Sequence, residues 1–170
     1  MRGLITVCLG FVALGAAATA SAAQPDIEAA RAATAGFHDV SKATGYGEFH
    51  DAAGIACIDQ PGEGGMGIHY VNGALVGNPD ENIRTPEALV YDPGANGHLK
   101  LVAVEYIVDK VAWDATHAGP PHLFDKDFEP VPAGNRYGLD PFYELHAWLW
   151  KHNPSGMFAD YNSRVTCENA

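Results

Sequence analysis

The stretch LKLVAVEYIV, residues 99–108, is apolar on both of its alternating sides and carries one acid near its middle. In an extended chain Leu101, Ala103, Glu105 and Ile107 share one side, and Val102, Val104, Tyr106 and Val108 share the other. Such a run predicts a central strand covered on both faces. A carboxylate is expensive there unless it is paired, protonated or bound to a cation. Glu105 therefore needs a partner.

Working outward, EALVYD (87–92) reads as the preceding strand, and PGANGH joins it to the central one. Asn96-Gly97 within that join is a hairpin turn signal. Upstream, MGIHYV (66–71) predicts a third strand, with His69 in its middle on the side of Gly67 and Val71. Glycines there leave room for another backbone, a bulky side chain or a ligand to approach. Residues 72–86 form a polar loop. Pro25 to Ala43 reads as a helix with a thin apolar face, with Gly45 as its cap.

Downstream, residues 116–138 are proline-rich and without period, the texture of a long binding loop or lid. DPFYELHAWLWKHNP (140–154) is ambiguous. Asp140, Pro141 and Glu144 make a helix-capping signal. As a strand, Glu144, His146, Trp148 and Trp150 share one side, and the aromatic alternation favours this reading. The expected fold is α+β: an N-terminal helix on a curved antiparallel sheet or small open barrel, with the proline-rich loop across one end. A β-sandwich is the alternative.

Residues 1–23 begin with Arg2, continue through an apolar run from Leu4 to Ala18, and end in small residues. They read as a secretory signal peptide, leaving 24–170 as a single globular domain in a periplasmic or secreted protein. No later segment suggests a membrane span. Without Arg2, the chain keeps nine Lys and Arg against 21 acids, a net charge of −12. That acidity opposes nucleic acid and anionic membranes as partners and suits a small molecule or a metal ion. Outside the leader there are two cysteines, Cys57 and Cys167, and in an exported protein such a pair reads as one disulfide. Metal ligation by two thiols is the alternative.

His69, Glu105 and His146 each sit within an apolar strand-like run. Two histidines and one acid suit a divalent transition metal, or equally a buried acid–base pair. Around them, Tyr70, Tyr106, Trp148 and Trp150, with His122 from the proline-rich loop, are candidates for a ligand pocket. Tyr143 belongs to the same aromatic set, and core filling is the plainer role for most of these rings. His117 accompanies His122 in the loop. His38, His50, His98 and His152 read as surface residues. Signatures of serine hydrolases, P-loop proteins, zincins, dinucleotide-binding folds and c-type haem attachment are missing.

Three functions fit this pattern: a protein with an internal metal site; a metal-free periplasmic carrier for a small apolar ligand held against Trp148 and Trp150; or a domain whose His and Glu residues simply pair in the core. As an enzyme, the first would use the metal as Lewis acid or redox centre, with Glu105 as ligand or general base.

GGMGIHYVN (64–72), PEALVYD (86–92), LVAVEYIV (101–108), LHAWLWKHNPSGMFADYN (145–162) and the terminal VTC (165–167) together resemble a family of uncharacterised secreted bacterial proteins. The resemblance runs from about residue 35 to the C-terminus. It implies one exported domain with a Cys57–Cys167 disulfide and implies no activity. That family's pattern has proline where this chain has Gly73 and Ser163, both compatible with turns.

Overall fold

The computed structural model describes residues 23–170, so the expected leader lies outside the described residues except for Ala23. Ala23 opens helix α1 (Ala23–Thr34), which is followed by two 3-10 turns, Ala35–His38 and Val40–Lys42. The strands are β1 (Gly47–Glu48), β2 (Cys57–Gln60), β3 (Gly64–Val71), β4 (Ala88–Pro93), β5 (Leu99–Asp109), β6 (His122–Leu123), β7 (Lys126–Asp127), β8 (Glu129–Val131) and β9 (Phe142–Ala147). Two short helices, α2 (Gly73–Val76) and α3 (Lys110–Asp114), sit in the connections. The main sheet is antiparallel throughout, in the order β1-β3-β4-β5-β9-β8, with β2 also on β3. Among the described residues it does not close into a barrel. The fold is α+β.

Helix α1 is shorter than its sequence suggests. Ala23, Ile27, Ala30 and Thr34 are buried at helical spacing and hold it on the sheet. Beyond Gly36 the chain turns extended at Asp39, whose carboxylate caps Ser41 and starts a separate turn. A short polar side chain that satisfies a nearby backbone N–H competes with helix continuation. Arg31 Nε donates to the Leu149 carbonyl at 2.8 Å, fixing the helix to the segment just after β9.

β5 is the centre of the sheet and is buried along almost its whole length. Its face assignment departs from simple alternation. Val90 pairs with Ala103 and Tyr91 with Leu101, so Val102 is an extra residue in a β-bulge. Leu101 consequently joins Val104, Tyr106 and Val108 in the core beneath α1, not Glu105 on the opposite face. Val102 and Ala103 both turn to that opposite face, where they pack with Val90, Trp148 and Val165.

The ambiguous segment 140–154 is a strand from Phe142 to Ala147. It pairs with β5 over Val104–Asp109 and with β8 on its other side. A helix there would leave the backbone of buried β5 without partners, which outweighs any capping signal. The strand stops before the tryptophans. Leu149 N–H turns back to the Ala147 carbonyl, and Trp150 N–H goes to Val102. Trp148 stays on the Glu105 face, whereas Trp150 packs against His38 and donates to Thr34 Oγ1.

The loop at 72–86 holds α2, capped by Asn72. The proline-rich 116–138 is not structureless: β6 and β7 form a hairpin, and β8 extends the main sheet. The hairpin turn places Phe124 and Asp125 at φ 56°, the left-handed region. Phe124 is buried against Tyr106, and that burial offsets the backbone strain.

Two glycine positions explain the unusual composition around His69. At Gly67 (φ +110°) a Cβ would lie 2.7 Å from the Tyr91 carbonyl oxygen. At Gly64 (φ +105°) it would lie 2.2 Å from the carbonyl oxygen of Asn162, because the C-terminal tail crosses β3 there and bridges to Gly65. The Cys57–Cys167 disulfide, spanning 110 residues, pins that tail in place. Loops this long are worth roughly 4–5 kcal/mol in the chain-entropy model.

Glu87 is a buried acid that serves the sheet. Ile107 lies beyond the start of β4, and its N–H donates to Glu87 Oε2 at 2.9 Å instead. Burial pushes the Glu87 carboxyl up to about 7, against the opposing Ile107 hydrogen bond. The folded state therefore holds this proton more tightly than the unfolded chain does. The stabilisation is fully present below the unfolded value near 4.5 and is lost as pH rises through about 7, a swing of roughly 3 kcal/mol.

Glu87→Gln keeps an acceptor for Ile107 and should raise stability at pH 8 by about 1–3 kcal/mol while changing little at pH 5. Denaturant titrations of both proteins at the two pH values read this difference directly. Gly67→Ala should lower stability by about 2–4 kcal/mol, measured the same way at pH 7, through left-handed strain and overlap with the Tyr91 carbonyl.

Candidate metal centre

The face of the sheet opposite α1 carries the polar cluster. His69 comes from β3, Glu105 from β5 and His146 from β9. Glu105 and His146 are direct cross-strand partners. His69 reaches Glu105 across β4, where Ala88, the β4 partner of Glu105, presents only a methyl group. His69 Nε2 lies 3.3 Å from Glu105 Oε2. The two imidazole rings are 6.1 Å apart and nearly perpendicular. One ligand atom from each of the three residues lies within 4.8 Å of the others. All three expected residues are thus brought together, at 4%, 5% and 2% exposure for His69, Glu105 and His146.

The hydrogen-bonding state of this cluster is unusual. Nδ1 and Nε2 of both histidines are buried, and none of the four nitrogens has a hydrogen-bond partner. The His69–Glu105 approach is close, but its angle is not that of a hydrogen bond. An unsatisfied buried polar group costs about 1–3 kcal/mol. Burial lowers His69 to about 4, helped by the positive charge of Arg136 and weakly opposed by the Gly67 backbone, which lies near the ring without the geometry of a hydrogen bond. Burial lowers His146 to about 3, helped by His69. Both rings are neutral above pH 5, the form in which imidazole offers a lone pair to a metal. Glu105 is pushed well above the usual carboxylate range by burial, then by the charge of Glu144 and a hydrogen bond to it. Glu144 is itself raised to about 7, chiefly by burial.

Two nitrogens and one carboxylate converging on a point can hold a metal ion. Metal–ligand bonds of about 2.0–2.2 Å set tetrahedral ligand atoms about 3.3 Å apart, so binding would draw the three side chains inward. A positive ion there would also satisfy the orphan nitrogens and favour ionised Glu105.

Loops cover this face. Arg136 donates to Asp51 Oδ2 through Nη2 (2.7 Å) and Nε (3.1 Å), and Ala52 N–H donates to the Arg136 carbonyl. These contacts tie the 49–56 loop to the 132–141 loop. The Asp51 carboxyl is held below its usual range, first by the Ile55 N–H and then by Arg136. Between the loops and the sheet lies a pocket of about 410 Å³ with His69 and Glu105 among its lining residues.

The expected ligand-pocket residues do not gather around it. Tyr70 points to the α1 side, packs on Tyr91 and donates to Glu48. Tyr106 is in the core beneath α1, with its hydroxyl on the Ile83 carbonyl. His122 is exposed on β6, 2.8 Å from Asp127. His117 is exposed and stacks on Trp113. Trp148 lies beside His146 at 4.8 Å, its indole N–H on the Ala159 carbonyl. Trp148 and Trp150 do line a separate cleft of about 510 Å³, but Arg31, Lys151, His152 and Asn153 line it too, so it is not an apolar cavity. Tyr143 is core, as its plainer reading holds, and His38, His50, His98 and His152 are exposed.

Sequence reasoning did not assign Glu144, Tyr137, Phe49 or Phe142 to the site. Glu144 had a signal, standing two residues before His146 on the same strand face. Tyr137 and Phe49 lie in loops without period, where no pattern marks them.

Comparison with protein-family models, with curated proteins and with solved structures finds no match to this chain.

A test separates an orphaned histidine from a satisfied one. In chelator-treated protein, His146→Leu should raise unfolding stability by about 1–2 kcal/mol, because it removes two unpartnered buried nitrogens. A histidine satisfied by the core would instead lose stability on this substitution. Denaturant titration decides between them.

Proposed function

We propose that this is an exported metal-binding protein whose centre is His69, Glu105 and His146, holding one divalent transition metal. The observation that carries this reading is the set of four buried imidazole nitrogens without a partner, beside a buried carboxyl group. A fold that evolved two core histidines for structure alone would satisfy them with carbonyls or hydroxyls. The nitrogen-rich donor set suits first-row transition ions, not calcium or magnesium, which favour oxygen ligands. With three protein ligands, coordination positions remain for water or a small molecule. His69 and Glu105 line the pocket, so such a molecule has access from that side.

Export is supported by the leader-like residues 1–23 and by the disulfide, which suits an oxidising compartment. No described helix is long and apolar enough to cross a membrane.

Elemental analysis of protein purified without chelator or affinity-tag histidines tests the reading. Near-stoichiometric zinc, iron, manganese or copper is expected. His69→Ala and His146→Ala should each abolish it while the far-ultraviolet circular dichroism persists. Metal at a hundredfold excess over its Kd should raise wild-type stability by roughly 3 kcal/mol and leave both variants unchanged. Protein that stays metal-free after dialysis against these ions overturns the reading.

A further inference from the structure

The pocket above the cluster has a composition that selects its occupant. Its volume of about 410 Å³ is within the range of small-molecule sites. A cavity of about 150 Å³ holds benzene, so this one accommodates a body of up to about two rings with space for a substituent. Three aromatic rings stand in sequence along it. Tyr137 lies 6.4 Å from Phe49 and 6.0 Å from Phe142, both tilted, a geometry that receives a flat guest by edge or face. Val71, Ile107 and Leu139 complete the apolar lining.

The polar groups are few and placed at the ends. Glu48, partly exposed, lies at the mouth. His69, with its unpartnered nitrogens, and Glu105 lie at the floor. No lysine or arginine is among the described residues that line the pocket. An anionic guest would pass a carboxylate and find no basic side chain in the lining, the nearby Arg136 being already paired with Asp51, so a neutral one is favoured. A guest without any polar atom would leave the accessible edge of the His69–Glu105 floor without a polar partner after water is displaced.

We propose that this pocket binds a neutral aromatic molecule of one or two rings carrying a hydroxyl group, with the ring among Phe49, Tyr137 and Phe142 and the oxygen directed at the His69–Glu105 floor. The ring's place rests on the pocket alone; the oxygen's role as a metal ligand rests on the metal-centre reading.

The test uses 2-naphthol as probe and naphthalene as its oxygen-free counterpart. Both are titrated into purified wild-type protein, metal-loaded and chelated, and into Leu139→Trp and Val76→Trp. These two substitutions fill the pocket from partly exposed positions away from the cluster. The expected result is saturable binding of 2-naphthol, about tenfold or more tighter than naphthalene, and weakened about tenfold or more in Leu139→Trp with metal content unchanged. Absence of saturable 2-naphthol binding overturns the proposal. So does binding that neither tryptophan substitution weakens, or naphthalene binding as tightly as 2-naphthol. Metal content read on the same samples separates the two ideas: protein that takes up 2-naphthol but no metal keeps the aromatic site and loses the metal centre.

Discussion

The arrangement depends on a carboxyl group placed in the most buried strand of the sheet. β5 is covered by α1 on one face and by loops on the other, so Glu105 is buried and borders only the pocket beneath those loops. Its environment must therefore be built for it. His69 and His146 arrive from the strands on either side, one directly paired and one across Ala88. Neither ring makes a well-formed hydrogen bond to the carboxyl or to another group. Packing brings the three groups together and leaves both imidazoles without a well-formed hydrogen bond, an arrangement that could hold a metal ion.

The surrounding fold reads as the support this cluster requires. Gly67 lets β3 bulge against the Tyr91 carbonyl and so sets the position of His69 two residues later. Gly64 and Gly65 admit the C-terminal tail, which brings Val165 onto Trp148, and Trp148 backs His146. The disulfide holds the tail from one side, and the Asp51–Arg136 pair holds the loops above the pocket. Arg136 also acts electrostatically, since its charge disfavours protonation of His69. The same contact thus ties the loops over the pocket and adds to the larger effect of burial on the imidazole.

Much of the sheet was legible because period-two patterning is a local property. The three strands around 66–108 and the turn at Asn96-Gly97 follow from it, and both turn residues adopt positive φ. Errors arose where one extra residue or one short side chain changed the phase. The Val102 bulge moved Leu101 to the other face, and Asp39 ended the helix early. The turn at Phe124-Asp125 carried no turn signal, because its strain is offset by burial that no local pattern reveals.

The sequence by itself determined the strand that contains Glu105, the central positions of His69 and His146 in their own runs, and the pairing partners Cys57 and Cys167. Each of these is a matter of residue type and local spacing. Only the tertiary structure decided that the three polar groups converge, that Glu144 joins them, and that the aromatic pocket is made by Phe49, Tyr137 and Phe142 and not by the tryptophans. Strand order and bulges fix which side chains share a face, and loop packing fixes what covers them. Both depend on pairings between residues far apart in the chain, where local periodicity has nothing to say.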